Sequence, residues 1–365
     1  MSRCLIFVLL AALATLYPSN VASADGPGGF YGALPNATPI ALHLKEQSPK
    51  DAFQQLGTLA KVTFVAKAGW PDAKPITLDA NGQPYWDVVA ALCKKSGMKV
   101  ARYWHGEVYL EADEEGEWSR RQSVVHGPFR IDVGQIQVRK TAVLSSKPEK
   151  WQMYTLTLNL QAEPAIYFVA CEHEKLDKLL DESGNALPHE RMPGVLPNMK
   201  AYHNLAILDV VFTPEKSPKK ISVISGTIPL YVQDTSEMLE VADVLDAHGK
   251  TGRAAGLAFA VTTEKQDLGF DVEVKMSGGG PQGLARIANL RNRSLFDGPR
   301  LIDDKGRDYT AVGCMTEKTS IKVQFRSVKD FQRLELGPPA KLLWSIPSGW
   351  HSVEVPFEFK DIVLP

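Results

Sequence analysis

The chain has 365 residues, 44% of them hydrophobic and 23% charged, and its formal net charge is −1. This is the composition of a globular protein, and the length predicts two or three domains of roughly 100–200 residues each. Nucleic acid and anionic membranes are poor candidate partners, because both favour a clustered basic surface and no long run of one charge sign occurs.

The first 24 residues are typical of a secretory signal. Arg3 is followed by an apolar run from Cys4 to Leu16 and then by Ala22-Ser23-Ala24, an A-x-A cleavage pattern. The run is too short to span a bilayer, which takes about 20 apolar residues. We therefore predict signal residues 1–24 and a periplasmic or secreted protein with no transmembrane segment in the mature chain. An uncleaved N-terminal anchor is the alternative.

Three cysteines follow the signal, namely Cys93, Cys171 and Cys314. They are far apart and odd in number, whereas a disulfide framework needs pairs at close spacings. We expect isolated buried thiols, although an exported location would permit one bridge.

Residues 40–112 contain a repeat with an offset of 36 residues. In each copy an alternating apolar strand leads into a helix. Ser48 followed by Pro49 is a helix-start signature in the first copy, and Gly97 should end the helix of the second. A hairpin with His105-Gly106 as its turn would close the module. Ahead of the repeat, the Gly- and Pro-rich segment 25–39 is expected to be a loose leader.

A charged linker at 111–122 should separate this module from a strand-rich remainder. A second, looser repeat runs through that remainder, and its clearest copies are Leu179–Asn185 and Leu301–Arg307, each an apolar strand end followed by a D-x-x-G turn. The other matched blocks are Tyr154–Leu160 with Phe270–Met276, Ile207–Phe212 with Ile321–Phe325, and Ile221–Gly226 with Leu342–Pro347.

These patterns predict an α+β fold, a small βαβ-duplicated N-terminal module followed by two tandem antiparallel β-sandwiches. The expected boundaries are 40–112 for the module, 124–236 for the first sandwich and 237–365 for the second. The segment Val355–Asp361 would be the final strand of the last sandwich.

Residues that could carry chemistry are sparse. Cys171-Glu172-His173 offers two possible ligands, but zinc needs three or four that converge. Asp181, Ser183 and Asn185 alternate as in a calcium loop, but the distal glutamate is missing. We therefore predict no catalytic residue, no metal and no cofactor, and hence no enzyme.

Five aromatic residues in the first module are candidate partner-binding residues, because Trp and Tyr are favoured interface anchors. They could equally fill the core of the module. Tyr85 and Trp86 are adjacent at a helix start, so we expect that they do not both point inward. The candidates are Trp70, Tyr85, Trp86, Tyr103 and Trp104.

Residues 40–112 resemble the STN module, the short domain at the N-termini of secretins and TonB-dependent receptors. The resemblance rests on Ile40–Leu44 before Pro49–Leu56, and on Ile76–Asp79 before Trp86–Leu92, with Ser96–Val100 then leading to a closing strand Glu107–Leu110. The family usually has a glycine after the first helix, where this chain has Lys61.

The resemblance implies a periplasmic, non-catalytic module that docks onto another protein. The chain is too short for a receptor barrel, and its remaining strands do not suggest the ring-forming modules of a secretin. It is similar to architectures that pair this module with Ig-like repeats in uncharacterised envelope proteins. We predict an exported, non-enzymatic envelope protein that binds a protein partner through the module, with the sandwiches as spacers or further contact surfaces. The alternative is a cell-wall or polysaccharide-binding protein that uses exposed aromatics on a sandwich.

Overall fold

The computed structural model describes residues 32–104, 107–113, 116, 121–143, 149–189, 204–214, 217–246, 249–278, 287, 290, 298–329, 332–333 and 335–365. This part of the chain is mostly β, with two helices and several antiparallel sheets, consistent with the predicted β-sandwiches. None of its helices is long and apolar enough to cross a membrane. The predicted signal at 1–24 lies outside the described residues.

Residues 39–112 form an N-terminal unit with its own core. Its elements are β1 Pro39–Gln47, α1 Pro49–Ala60, β2 Thr63–Ala66, β3 Ile76–Pro84, α2 Tyr85–Ser96, β4 Met98–Trp104 and β5 Glu107–Ala112. Strands β1 and β3 form an antiparallel pair, and a second sheet has the order β2-β5-β4, with β2 parallel to β5. Apolar side chains of both sheets and both helices share one core, among them Leu42, Phe53, Val89 and Leu110.

The helix ends of this unit follow the local sequence. At the start of α1 the Ser48 Oγ accepts the N–H of Asp51 at 3.2 Å, and Pro49 occupies the first turn, as predicted. Gly97 ends α2 in the left-handed conformation with φ 67°, also as predicted. Lys61 ends α1 in the same conformation, with φ 54°. A side chain at that backbone geometry costs roughly 1–2 kcal/mol relative to glycine.

The remaining strands belong to two β-units. The first half of the region contains β6 Ser123–His126, β7 Phe129–Val143, β8 Glu149–Ala162, β9 Phe168–Cys171, β10 Lys175–Asp181, β11 Leu205–Phe212 and β12 Lys220–Ala242. The second half contains β13 Lys250–Ala254, β14 Leu257–Gln266, β15 Gly269–Gly278, β16 Arg300–Asp303, β17 Thr310–Thr316, β18 Ser320–Arg326, β19 Val328–Lys329, β20 Gln332–Arg333 and β21 Pro339–Val363.

One central sheet serves both β-units. Its order is β10-β12-β21-β16, and β9 also pairs with β12. In the first β-unit, part of this sheet faces the sheet β11-β8-β7-β6 across a core that includes Phe129 and Phe212. In the second, another part faces the sheet β13-β14-β15-β18-β17 across a core that includes Phe259 and Phe325.

The two longest strands run through both β-units. Strands β12 and β21 are antiparallel along their length, from Lys220 opposite Val363 to Ala242 opposite Lys341. Ile228 of β12 and its partner Val355 of β21 belong to the first core. Leu239 and its partner Trp344 belong to the second. Each long strand therefore contributes to both cores.

This arrangement corrects two expectations. The expected boundary between residues 236 and 237 falls inside the continuous strand β12. The prediction that Val355–Asp361 ends the last sandwich is wrong, because Val355, Phe357 and Phe359 lie in the core of the first β-unit. The ladder shifts register around Asp234 on β12 and around Ser348 on β21. Such bulges change which alternate residues face the core, so the apolar period does not reveal one continuous strand.

The duplicated D-x-x-G turns are confirmed in detail. In each turn one carboxylate oxygen accepts backbone N–H groups two and four residues further on, from Ser183 and Asn185 onto Asp181 and from Lys305 and Arg307 onto Asp303, at 2.7–2.9 Å. The turn glycines Gly184 and Gly306 have φ 82° and 79°. These aspartates stabilise the turns, as the sequence comparison of the two copies predicted.

Strand register shows which residues are equivalent in the two copies of the looser repeat. Tyr154 pairs with Phe212, and Phe270 pairs with Phe325, so these matched blocks are equivalent in the two β-units. Leu179 pairs with Ile224, whereas the equivalent Leu301 pairs with Leu342. Ile224 therefore corresponds to Leu342, and the predicted match that aligned Ile221 with Leu342 is shifted by three residues.

Candidate interaction surface

Tyr85 and Trp86 are both buried, each only 1% exposed. Their rings meet edge to face with centroids 5.2 Å apart, and both belong to the core of the N-terminal unit. The expectation that they do not both point inward is wrong, and these two side chains are unavailable to an exposed recognition face.

Trp86 contributes to the joint between the N-terminal unit and the first β-unit. Its indole Nε1–H donates to the backbone carbonyl of Pro128 at 2.9 Å, and the same carbonyl accepts the N–H of Glu163. The guanidinium of Arg130 lies 5.9 Å from the Trp86 ring centroid, within the range of a cation–π contact. The first β-unit thus covers the outer side of α2, which explains why two adjacent aromatic side chains are both buried.

The other three aromatic candidates do not form a described exposed face. Trp70 is half-buried, and its ring lies 5.8 Å from that of Phe53 in the core. Tyr103 and Trp104 belong to β4, but their side chains lie outside the described residues.

The leader segment also contributes to this joint. The Thr38 N–H donates to both carboxylate oxygens of Glu163, at 3.1 and 2.9 Å, while the Thr38 carbonyl accepts the N–H of Tyr85. Leu34 packs against the first core, and the Gly32 N–H donates to the carbonyl of Ser352. The expectation of a loose leader is therefore wrong for residues 32–38, and residues 25–31 lie outside the described part.

Buried ionisable groups line the joint. Arg130 and Asp132 form an ion pair at 2.8 Å, with side chains 4% and 2% exposed. Burial raises the pKa of the Asp132 carboxyl, and the nearby Arg130 offsets this only in part. Burial likewise raises the pKa of Glu163, against the lowering effect of its bonds from Thr38. Charge buried in this way is costly unless it is paired, so the joint depends on these contacts.

Sequence reasoning missed this joint. Arg130 and Asp132 alternate with Phe129 and Ile131, which is the pattern of a strand with one wet face. The pattern gives no sign that another part of the chain covers that face. The charged pair two residues apart is the local signal, and by itself it does not distinguish a covered face from a solvated one.

The three cysteine thiols differ in burial. Cys93 and Cys171 are buried, as expected, whereas Cys314 is half-buried, and no disulfide joins any two of the three. Burial raises the pKa of the Cys93 thiol to about 12, so it is unreactive near neutral pH. The His189 ring lies 3.0 Å from the carboxylate of Glu174. Among the described residues, no group of three or more His, Cys, Asp or Glu side chains could hold a metal ion.

The two-stranded sheet β1–β3 presents one exposed surface of the N-terminal unit. Its inner side chains alternate into the core, whereas its outer side chains are exposed, namely Ala41, His43 and Lys45 on β1 and Thr77, Asp79 and Asn81 on β3. Within the described residues neither strand pairs with a further strand, so each has an open edge. His43 and Asp79 form a cross-strand pair at 2.6 Å, with side chains 66% and 81% exposed. Open strand edges are a recurrent site for adding a partner's strand.

Comparison of the chain with family models, with curated proteins and with solved structures finds no match. Its function is therefore inferred from the residues and geometry above.

Proposed function

We propose that this protein is an exported, non-enzymatic envelope protein that binds a protein partner through an STN-like N-terminal module. The two β-units would act as spacers or further contact surfaces. The observation that carries the proposal is the β1–β3 sheet, whose inner face is anchored on the core while its outer face and both edges are open within the described residues.

The order of elements in the N-terminal unit supports the STN-like assignment. Strand, helix and strand occur twice, as β1-α1-β2 and β3-α2-β4, and β5 then pairs with β4 to close the unit with a hairpin. This is the order expected from the resemblance of residues 40–112. The left-handed conformation at Lys61 also fits, because a glycine is usual at that point of the family and glycine favours that geometry.

The position of the joint supports the β1–β3 sheet as the partner-binding surface. The side of α2 that carries Trp86 meets Pro128 and Arg130 of the first β-unit. His43 and Asp79 of the β1–β3 sheet are highly exposed by comparison. A partner would therefore meet the sheet, and the buried joint would fix the orientation in which the sheet is presented.

Charge reversal on the sheet tests the proposal. The protein would be immobilised and used to capture partners from an envelope extract, comparing wild type with Asp79→Arg. The matched control is Asp234→Arg, because Asp234 forms the same kind of exposed pair with His351, also at 2.6 Å, but on the central sheet. We expect Asp79→Arg to lose a partner that wild type and Asp234→Arg retain.

Two outcomes would contradict the proposal. One is a partner that Asp234→Arg loses and Asp79→Arg keeps, which would move the contact to the β-units. The other is hydrolase activity of the purified protein with no partner captured, which would make it an enzyme.

Cell-wall or polysaccharide binding is the second candidate, and one group of aromatic residues favours it. Tyr167 is 38% exposed, and its carbonyl accepts the N–H of Gln233 on β12, next to the register shift in the β12–β21 ladder. Tyr231 lies on β12, two residues before Gln233, and its Oη donates to a carboxylate oxygen of Glu172 at 2.6 Å. An aromatic ring beside a carboxylate suits a sugar. Co-sedimentation with purified cell wall, lost in Tyr167→Ala but not in Asp79→Arg, would favour this candidate.

A further inference from the structure

Leader residues 32–38 cross the joint between the N-terminal unit and the first β-unit as a strap that lies outside any helix or strand. At its first residue, the Gly32 N–H donates to the carbonyl of Ser352 on β21 at 2.8 Å. Further along, Leu34 packs against the first core. Within the described residues, no strand of the N-terminal unit pairs with a strand of the β-units. The strap therefore adds backbone contacts to a joint that no shared sheet holds together.

The strap lies closely on the turn before β7. A Cβ atom at Gly127 would lie only 2.5 Å from the carbonyl oxygen of Pro35, and Gly127 has φ 56°, in the left-handed region. Glycine is the residue that permits both this backbone geometry and this close approach. A side chain at position 127 would push the strap away from the first β-unit.

A buried carboxylate holds the other end of the strap. Glu163 is 1% exposed, and its two oxygens accept the Thr38 N–H at 3.1 and 2.9 Å. Among the described residues, no lysine, arginine or histidine forms an ion pair with Glu163. A carboxyl group that is removed from water and paired with no cation favours its protonated form. Burial accordingly raises the pKa of Glu163, although the bonds from Thr38 lower it in part.

The titratable groups on the neighbouring elements leave the charge of Glu163 uncompensated. They are Tyr85 and Asp87 on α2, His126 on β6, and Arg130 and Asp132 on β7. Arg130 already pairs with Asp132 at 2.8 Å, and Asp87 is exposed. The ionised form of Glu163 therefore depends mainly on the single N–H group of Thr38.

We propose that residues 32–38 form a pH-sensitive strap, which is held on the joint while Glu163 is protonated and opens more readily once Glu163 is ionised. In the closed state the strap shields the side chain from water, and the protonated carboxyl still accepts the Thr38 N–H through its carbonyl oxygen. In the open state water solvates the carboxylate. Opening is therefore least favourable below the unfolded pKa of about 4.5 and becomes more favourable as pH rises through the folded-state pKa.

Opening of the strap changes how the N-terminal unit is held. Thr38 is followed directly by β1, and its carbonyl accepts the N–H of Tyr85 at the start of α2. An open strap removes contacts at the starts of both elements. The N-terminal unit then moves more freely relative to the first β-unit.

Amide hydrogen exchange of the purified protein between pH 4 and 7, corrected for the intrinsic pH dependence of exchange, tests the proposal. We expect the protection of residues 32–38 to fall several-fold across this range in wild type and to change little in Glu163→Gln. Glu182→Gln is the matched control, because Glu182 also accepts one backbone N–H with both oxygens, from Lys219, but is exposed. It should keep the wild-type pH dependence.

Two further comparisons separate strap opening from unfolding of the whole protein. At each pH the strap should be far less protected than β12 around Ile228, which is fully buried in the first core. Gly127→Ala should lower the protection of the strap at both pH 4 and pH 7, because the added methyl group meets Pro35.

Three results would overturn the proposal. They are a strap as strongly protected as β12, a strap whose protection does not change with pH, and a Glu163→Gln variant with the wild-type pH dependence. The proposal does not rest on partner binding. Partner capture through β1–β3 is read out separately, so failure of the strap leaves the proposed function standing.

Discussion

The indole N–H of Trp86 donates a 2.9 Å hydrogen bond to the carbonyl oxygen of Pro128, and this bond joins the N-terminal unit to the first β-unit. Around it lie the Thr38–Glu163 contact and the buried Arg130–Asp132 pair. The aromatic residue that the sequence suggested for binding another protein instead binds another part of the same chain.

Replacement of Trp86 by phenylalanine should weaken this joint. The variant loses one of the two donors to the Pro128 carbonyl and part of a fully buried ring, so we expect a loss of about 1–2 kcal/mol in the free energy of unfolding. Urea unfolding measures it. Trp70→Phe is the control, because Trp70 is half-buried. An equal or larger loss of unfolding free energy for the control would show that the hydrogen bond to Pro128 adds nothing to the stability of the protein.

Lys61→Gly should stabilise the protein. Lys61 holds φ 54° at the end of α1, a conformation that costs a side chain energy and costs glycine little. We expect a gain of about 0.5–1 kcal/mol, after allowance for the greater chain entropy of unfolded glycine. Gly97→Ala, at φ 67° after α2, should change stability in the opposite direction. Thermal unfolding of both variants measures the direction of each change in stability. A destabilised Lys61→Gly variant would contradict the left-handed conformation at the end of α1.

Glu163 should make stability depend on pH. Its folded-state pKa is raised, chiefly by burial, so the folded protein holds this proton more tightly than the unfolded chain does. The resulting stability is present below the unfolded pKa of about 4.5 and is lost as pH rises through the folded-state pKa. Glu163→Gln should therefore be less sensitive to pH in urea unfolding between pH 4 and 7. A variant with the same pH dependence as wild type would contradict this account.

The pairing of β12 with β21 can be trapped chemically. Val223 faces Lys360 in the ladder, and antiparallel partners lie about 4.5–5.5 Å apart between Cα atoms, within the range of a disulfide. In a Cys314→Ser background, Val223→Cys with Lys360→Cys should form an intramolecular bridge on oxidation. Val223→Cys with Ser345→Cys should not, because Ser345 pairs with Met238 near the far end of β12. If the two sandwiches were separate, as the sequence predicted, Val223 and Lys360 would lie in different domains and the first variant would form no bridge.

Much of the fold could be predicted because it depends on local chemistry. Ser48 and Pro49 start a helix, Gly97 ends one, and Asp181 with Gly184 makes a turn, whatever lies nearby. The strand-rich class follows from alternation of apolar residues.

What could not be predicted depends on distant parts of the chain. The sequence of α2 does not say that Pro128 and Arg130 cover its outer side, so the orientation of Trp86 was predicted wrongly. The bulges around Asp234 and Ser348 shift the apolar period in mid-strand, so one strand reads as two. The β1–β3 sheet shows only ordinary alternation, and its open edges follow from tertiary pairing.

The most direct test of partner binding through the N-terminal unit is site-specific photo-crosslinking in the cells that produce the protein. A benzophenone amino acid would replace Thr77 on β3 or, as the control, Thr262 on the outer side of β14, both of which are exposed. The account predicts a discrete adduct from Thr77 that Asp79→Arg abolishes, and no such adduct from Thr262. An adduct from Thr262 with none from Thr77, or no adduct from either position, would contradict it.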